Sequence, residues 1–118
     1  MKKKNSTRAV NLLTLIPVRN IEWERNQEGL ITLLKPKFRH PFLVKNLLPR
    51  IKRPFYKINL DDVGSFFWDN CDGSRTIKEI ANLQWEKFGD RVEPLYERIA
   101  LFIQTLEKNR FVRLNKPD

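Results

Sequence analysis

With 118 residues the chain has room for one domain, and its 41% hydrophobic and 31% charged residues are those of a globular protein rather than a disordered one. No run approaches the ~18 uninterrupted apolar residues of a membrane span. The opening Lys2-Lys3-Lys4 and the apolar run Ala9 to Val18 make a poor secretion signal, because Asn11 and Pro17 interrupt the run and no small-residue cleavage site follows.

A lone cysteine, Cys71, can close no internal disulfide, so the expected compartment is a reducing cytoplasm. The net charge of +9 is uneven: 14 Lys+Arg stand against 3 Asp+Glu through Lys57, and 9 against 11 from Ile58 onward. The positive field belongs to the first half, and an acidic partner would be drawn there.

In chain order, residues 1–20 read as an N-terminal extension and 21–114 as the domain. Ile21 to Arg25 alternates Ile21 and Trp23 with Glu22 and Glu24, the pattern of a half-buried strand. Asn26-Gln27-Glu28-Gly29 is a turn with Gly29 free to take positive φ. Leu30 to Leu34 follows as the second strand of a hairpin, closed by Pro36. Residues 38–54 are a basic and apolar insertion, in which Pro41 can open a short helix and Pro49 end it. A third strand is expected at Phe55 to Leu60.

The second half reads as helical. Asp61 is placed to cap a helix running to about Cys71, with Val63, Phe66, Phe67 and Cys71 inward. Asp72-Gly73 stops that helix. Thr76-Ile77-Lys78-Glu79 spells a capping box, opening a helix to about Phe88 with Ile77, Ile80, Ala81, Gln84, Trp85 and Phe88 at helical spacing. A third helix starts near Glu93-Pro94 and runs to about Asn109, and Phe111 to Leu114 forms a short closing strand. Three strands, three helices and a C-terminal strand predict an α+β domain resembling a winged helix-turn-helix.

Catalytic chemistry has little to draw on. His40 is the only histidine and Cys71 the only cysteine, so neither a zinc site nor a Cys-His pair can be assembled. There is no Gly-rich phosphate loop, and Asp61 beside Asp62 is explained by a helix cap. The expectation is a binding protein, not an enzyme, with no metal and no cofactor.

The third helix carries an anomaly with two readings, an ordinary exposed leucine or a groove for a partner lined by Arg98, Leu101 and Thr105. At ~100° per residue, Leu95, Ile99, Phe102, Ile103 and Leu106 share one face, and Leu101 falls outside it beside Arg98 and Thr105. The long insertion before the third strand places that strand at a sheet edge, where unpaired amides and carbonyls can accept an extended peptide.

The run from Ile58 through Asp61-Asp62-Val63-Gly64 to Trp68, then Cys71-Asp72-Gly73-Ser74-Arg75-Thr76-Ile77-Lys78-Glu79-Ile80-Ala81, resembles the signature of the PqqD family. Val92-Glu93-Pro94-Leu95 through Leu106 and Phe111 is similar to that family's third helix. Setting the insertion aside, the resemblance covers roughly Ile21 to Leu114. It implies a peptide-binding adaptor that takes the leader of a ribosomally made precursor as an added strand. The adaptor then presents it to a radical S-adenosylmethionine enzyme. The family binds its peptide beside the third strand and third helix, so the residues expected to bind are Phe55, Tyr56, Lys57, Ile58 and Asn59 on the strand and Arg98, Leu101, Phe102 and Thr105 on the helix, Leu101 resting on helical spacing and not on the match.

Two other readings stay open on physical grounds. A nucleic-acid-binding winged helix suits the pI of 10.0, but Glu93, Glu97 and Glu107 outnumber Arg98 and Lys108 on the helix that would face phosphates. A membrane-surface contact through 38–54 suits its leucines and basic residues, although Pro41, Pro49 and Pro54 keep any helix there short.

Overall fold

In chain order the elements are β1 (Ile16–Arg19), β2 (Trp23–Arg25), β3 (Ile31–Pro36), α1 (Pro41–Asn46), β4 (Phe55–Asn59), α2 (Asp62–Asp69), α3 (Ile77–Phe88), α4 (Leu95–Lys108) and β5 (Val112–Asn115). The computed structural model describes residues 12–117, so the expectation for Lys2–Lys4 and the start of the apolar run lies outside the described residues. The chain is α+β with antiparallel sheets, and it divides into two units: Ile21–Asp62, and Met1–Asn20 with Val63–Asp118.

In the unit Ile21–Asp62, Asn26 builds the turn. Its side-chain oxygen accepts from the amides of Glu28 and Leu30, and Gly29 adopts φ +84°, where a β-carbon would be strained. The turn joins β2 to β3, and β4 adds to the other side of β3, giving the order β2-β3-β4. Ile31 and Leu33 of the central strand are fully buried, and sequestering side chains of this size contributes ~1.5–3 kcal/mol each. The insertion leaves the ladder and returns to it at one point, where the Lys37 amide donates to the Pro54 carbonyl at 3.0 Å. Inside it His40 caps α1, its Nδ1 accepting from the Phe42 amide.

In the other unit, β1 and β5 pair antiparallel with Val18 opposite Arg113. Leu15, Pro17 and Arg19 also bond to the Cys71–Ile77 segment: the Pro17 carbonyl accepts from Gly73, the Leu15 carbonyl from Ile77, and the Arg19 amide donates to Cys71. The Arg19 guanidinium donates to the carbonyls of Trp68 and Asp69, satisfying acceptors that the end of α2 leaves open. Gly73 takes φ +84°, and a β-carbon there would meet Val18 Cγ2 at 3.3 Å. Thr76 and Glu79 form the reciprocal box at the start of α3. Phe67, Trp68, Cys71, Ile77, Ile80, Ala81, Ile99, Ile103 and Leu106 are buried, and the Phe67 ring meets Phe102 edge-on at 5.4 Å.

Several sequence expectations change. Ile16–Arg19, read as part of an extension, is a strand: Pro17 is tolerated because it lies opposite Leu114 at a position where the β1–β5 ladder calls for no amide. The C-terminal strand therefore pairs with β1. In β2, Trp23 is 36% exposed and all three residues are exposed, the consequence of a short edge strand. The α2 helix ends at Asp69, and its buried positions are Gly64, Ser65, Phe67 and Trp68, while Phe66 is half-buried. Gly64 and Ser65 share the buried side of the helix with Phe67 and Trp68. On α3 Trp85 is 43% exposed, because the neighbouring Gln84 is the one turned inward, donating from Nε2 to the Val63 carbonyl. Pro94 stands at the N-cap of α4 rather than inside its first turn.

Candidate functional site

The register between β3 and β4 determines which backbone groups of β4 are spoken for. Thr32 faces Asn59, Leu33 faces Ile58, Leu34 faces Lys57 and Lys35 faces Tyr56. Beyond the strand ends, Lys37 donates to Pro54 and Leu60 donates to Ile31. Hydrogen-bonded pairs alternate in an antiparallel ladder, so Pro54, Tyr56, Ile58 and Leu60 turn their backbone groups toward β3. Phe55, Lys57 and Asn59 turn theirs outward. Among the described residues no strand covers that outer side in the sheet order β2-β3-β4. The third strand is an edge, as expected, and it follows β2 and β3 in a simple meander.

Side chains along β4 have separate attachments. Tyr56 is 55% exposed with the Lys37 ammonium 5.4 Å above its ring. Lys57 pairs with Glu24 at 3.7 Å, both side chains largely in solvent, so the pair contributes little to stability. The Asn59 side-chain oxygen accepts from the Thr32 hydroxyl at 2.8 Å. Phe55 and Ile58 are half-buried.

On α4, Ile99, Ile103 and Leu106 are buried and Leu101 is 68% exposed, as the helical spacing predicts. Arg98 donates to the Arg91 carbonyl at 2.6 Å, which fixes the guanidinium over the start of the helix. The Thr105 hydroxyl donates to the Leu101 carbonyl one turn back. Phe102 is half-buried and committed through its ring to Phe67. Of the four residues expected on this helix, Leu101 offers the free apolar surface. Arg98 and Thr105 flank it, and Phe102 supports the core behind it.

Titration behaviour marks structure here rather than reactivity. Burial pushes the Cys71 thiol up to about 12, and its Sγ donates to the Phe67 carbonyl. The Ser74 hydroxyl and amide donated to Asp72 hold that carboxyl below its ordinary value. The Thr76 amide and hydroxyl do the same for Glu79. Among the described residues no group of three His, Cys, Asp or Glu is placed to hold a metal ion, and no helix there is long and apolar enough to cross a membrane.

The open outer ladder of β4 and, separately, the exposed Leu101 on α4 are the two candidate binding features of this α+β protein. Residues 56–112, just under half the chain, match the family model described as coenzyme PQQ synthesis protein D (PqqD). That match falls over the same stretch as the signature from Ile58 to Ala81, so residues 56–112 are similar to the PqqD family. That family is a non-catalytic accessory of coenzyme PQQ synthesis that works with a peptide and a partner enzyme. No curated protein and no solved structure matches the chain.

Proposed function

We propose that this protein is a cytoplasmic, non-catalytic adaptor that captures the leader of a precursor peptide by strand addition to β4 and presents it to a radical S-adenosylmethionine enzyme. The observation that carries the reading is the outer edge of β4, where Phe55, Lys57 and Asn59 point their amides and carbonyls away from β3. Main-chain bonds along such an edge supply affinity, and alternate side chains supply selectivity. On α4, Arg98, Leu101 and Thr105 are the side chains proposed to contact a leader peptide, with Leu101 as the apolar anchor. The excess of positive charge through Lys57 favours an acidic leader, whose association would slow as salt rises.

The experiment is a proline placed at alternate positions of the strand. Lys57→Pro removes an outward N–H and leaves the ladder to β3 intact, since proline is tolerated on the solvent side of an edge strand. It should weaken a synthetic leader peptide, titrated by calorimetry, by about ten-fold, the size of one lost hydrogen bond at the upper end of its net range. The melting temperature should stay near wild type. Lys57→Ala separates the backbone effect from loss of the ion pair to Glu24. Ile58→Pro deletes an inward donor and should destabilise the protein. Undiminished binding by a folded Lys57→Pro protein would remove strand addition at β4 from consideration.

A further inference from the structure

The excursion between β3 and β4 carries a second surface that peptide capture does not use. Between Arg39 and Arg53 there are five Lys+Arg and no Asp or Glu. Lys45, Arg50, Lys52 and Arg53 are exposed, and none is ion-paired among the described residues. Interleaved with them, Phe42 is 64% exposed, Val44 39% and Leu47 41%. The α1 helix spans six residues and contains no buried residue, so these apolar side chains contribute little to holding the fold together. The Lys37–Pro54 hydrogen bond closes the excursion at its neck.

We propose that residues 38–54 dock the protein onto an anionic phospholipid surface. Uncompensated cations and solvent-facing apolar side chains on one short segment have to be satisfied together. A lipid interface does this without shape complementarity: phosphate and carboxylate headgroups take the cations, and the acyl boundary takes Phe42, Val44 and Leu47. An acidic protein surface would need apolar pockets matched to a segment broken at Pro49 into a short helix and a turn at Leu48–Arg50. Clusters of four to eight Lys or Arg beside apolar residues are the usual composition of anionic-lipid contacts. Each basic residue near such a surface strengthens binding by roughly five-fold.

The full chain would be floated with vesicles of phosphatidylcholine containing about one-third phosphatidylserine, and with pure phosphatidylcholine vesicles, at ~0.1 M and ~1 M salt, where the screening length falls from ~10 Å to ~3 Å. Binding should appear only with phosphatidylserine and weaken in high salt. Replacing Arg50, Lys52 and Arg53 by Gln should cost about 100-fold, and Phe42→Ser with Leu47→Ser about ten-fold. All variants should keep the wild-type melting temperature. A variant with Lys2, Lys3 and Lys4 changed to Ala should retain most of the affinity. Failure of the wild type to float with anionic vesicles would overturn the proposal. So would full binding by the Arg50/Lys52/Arg53 variant, or binding lost only with Lys2–Lys4. Inert vesicles combined with tight binding of polyglutamate would instead assign the segment to an acidic protein. None of these results alters the outcome of Lys57→Pro, so the two proposals fail separately.

Discussion

Leu101→Asp tests the peptide site at the point where the structure separates binding from stability. Leu101 is 68% exposed, whereas Ile103, two residues on, is fully buried. Burying a leucine completely is worth about 1.5–3 kcal/mol, and roughly two-thirds of that remains available at Leu101, or about 1–2 kcal/mol. An aspartate there forfeits this and adds a carboxylate that a docked apolar side chain would desolvate, which raises the loss to about 2 kcal/mol or more. Affinity for the leader should fall about 30-fold in calorimetric titration, with thermal melts of wild type and variant overlapping. Ile103→Asp should unfold the protein, because it places an unpaired charge in the core. Equal peptide affinity in Leu101→Asp and wild type would refute the assignment of this flank. Unfolding of Leu101→Asp would refute the helical phase behind it.

Thr76→Ala removes a capping hydroxyl and should cost about 1 kcal/mol, read as a fall of about 4 °C in melting temperature for a protein of this size. Unfolding at reduced pH should show the Thr76–Glu79 box as well: with Glu79 held below its ordinary value, its contribution is present above that value and is lost as pH falls through the lowered one. Cys71 should not react with a thiol reagent at pH 8 until the protein is denatured, and rapid stoichiometric labelling of folded protein would contradict its burial. Because its pKa rises from 9.0 to about 12 on folding, stability should decline as pH climbs from about 9 toward 12, and Cys71→Ala should flatten that decline.

Punctuation in the sequence located the elements well, and packing decided what it could not. The Thr76-to-Glu79 spacing placed the start of α3, and Gly29 and Gly73 adopt the positive φ that their turns require. The exposure of Leu101 follows from helical arithmetic alone. In contrast, Leu-Thr-Leu-Ile-Pro-Val has no alternation to mark Ile16–Arg19 as a strand, since its partner β5 lies at the opposite end of the chain. Trp85, expected at the inward spacing, is exposed and Gln84 is buried in its stead, because one residue of helical phase is settled by packing that the sequence pattern does not carry. For the candidate site, β4 was legible as an edge. Which of its backbone groups face outward depends on register with β3, and no local pattern carries that information.

The pairing of β1 with β5 has a consequence for how the protein is made. Every strand partner of the unit Ile21–Asp62 lies within that unit, so its sheet can assemble as soon as those residues leave the ribosome. Residues Ile16–Arg19 emerge earlier still, yet their bonds to Cys71, Gly73 and Ile77 wait for a much later stretch, and their strand partner Val112–Asn115 comes later again. During translation the first strand is therefore an unpaired template for much of the time the chain is being built, open to a chaperone or to another nascent chain. Its proline, which gives the ladder nothing, is also a residue that discourages such mispairing.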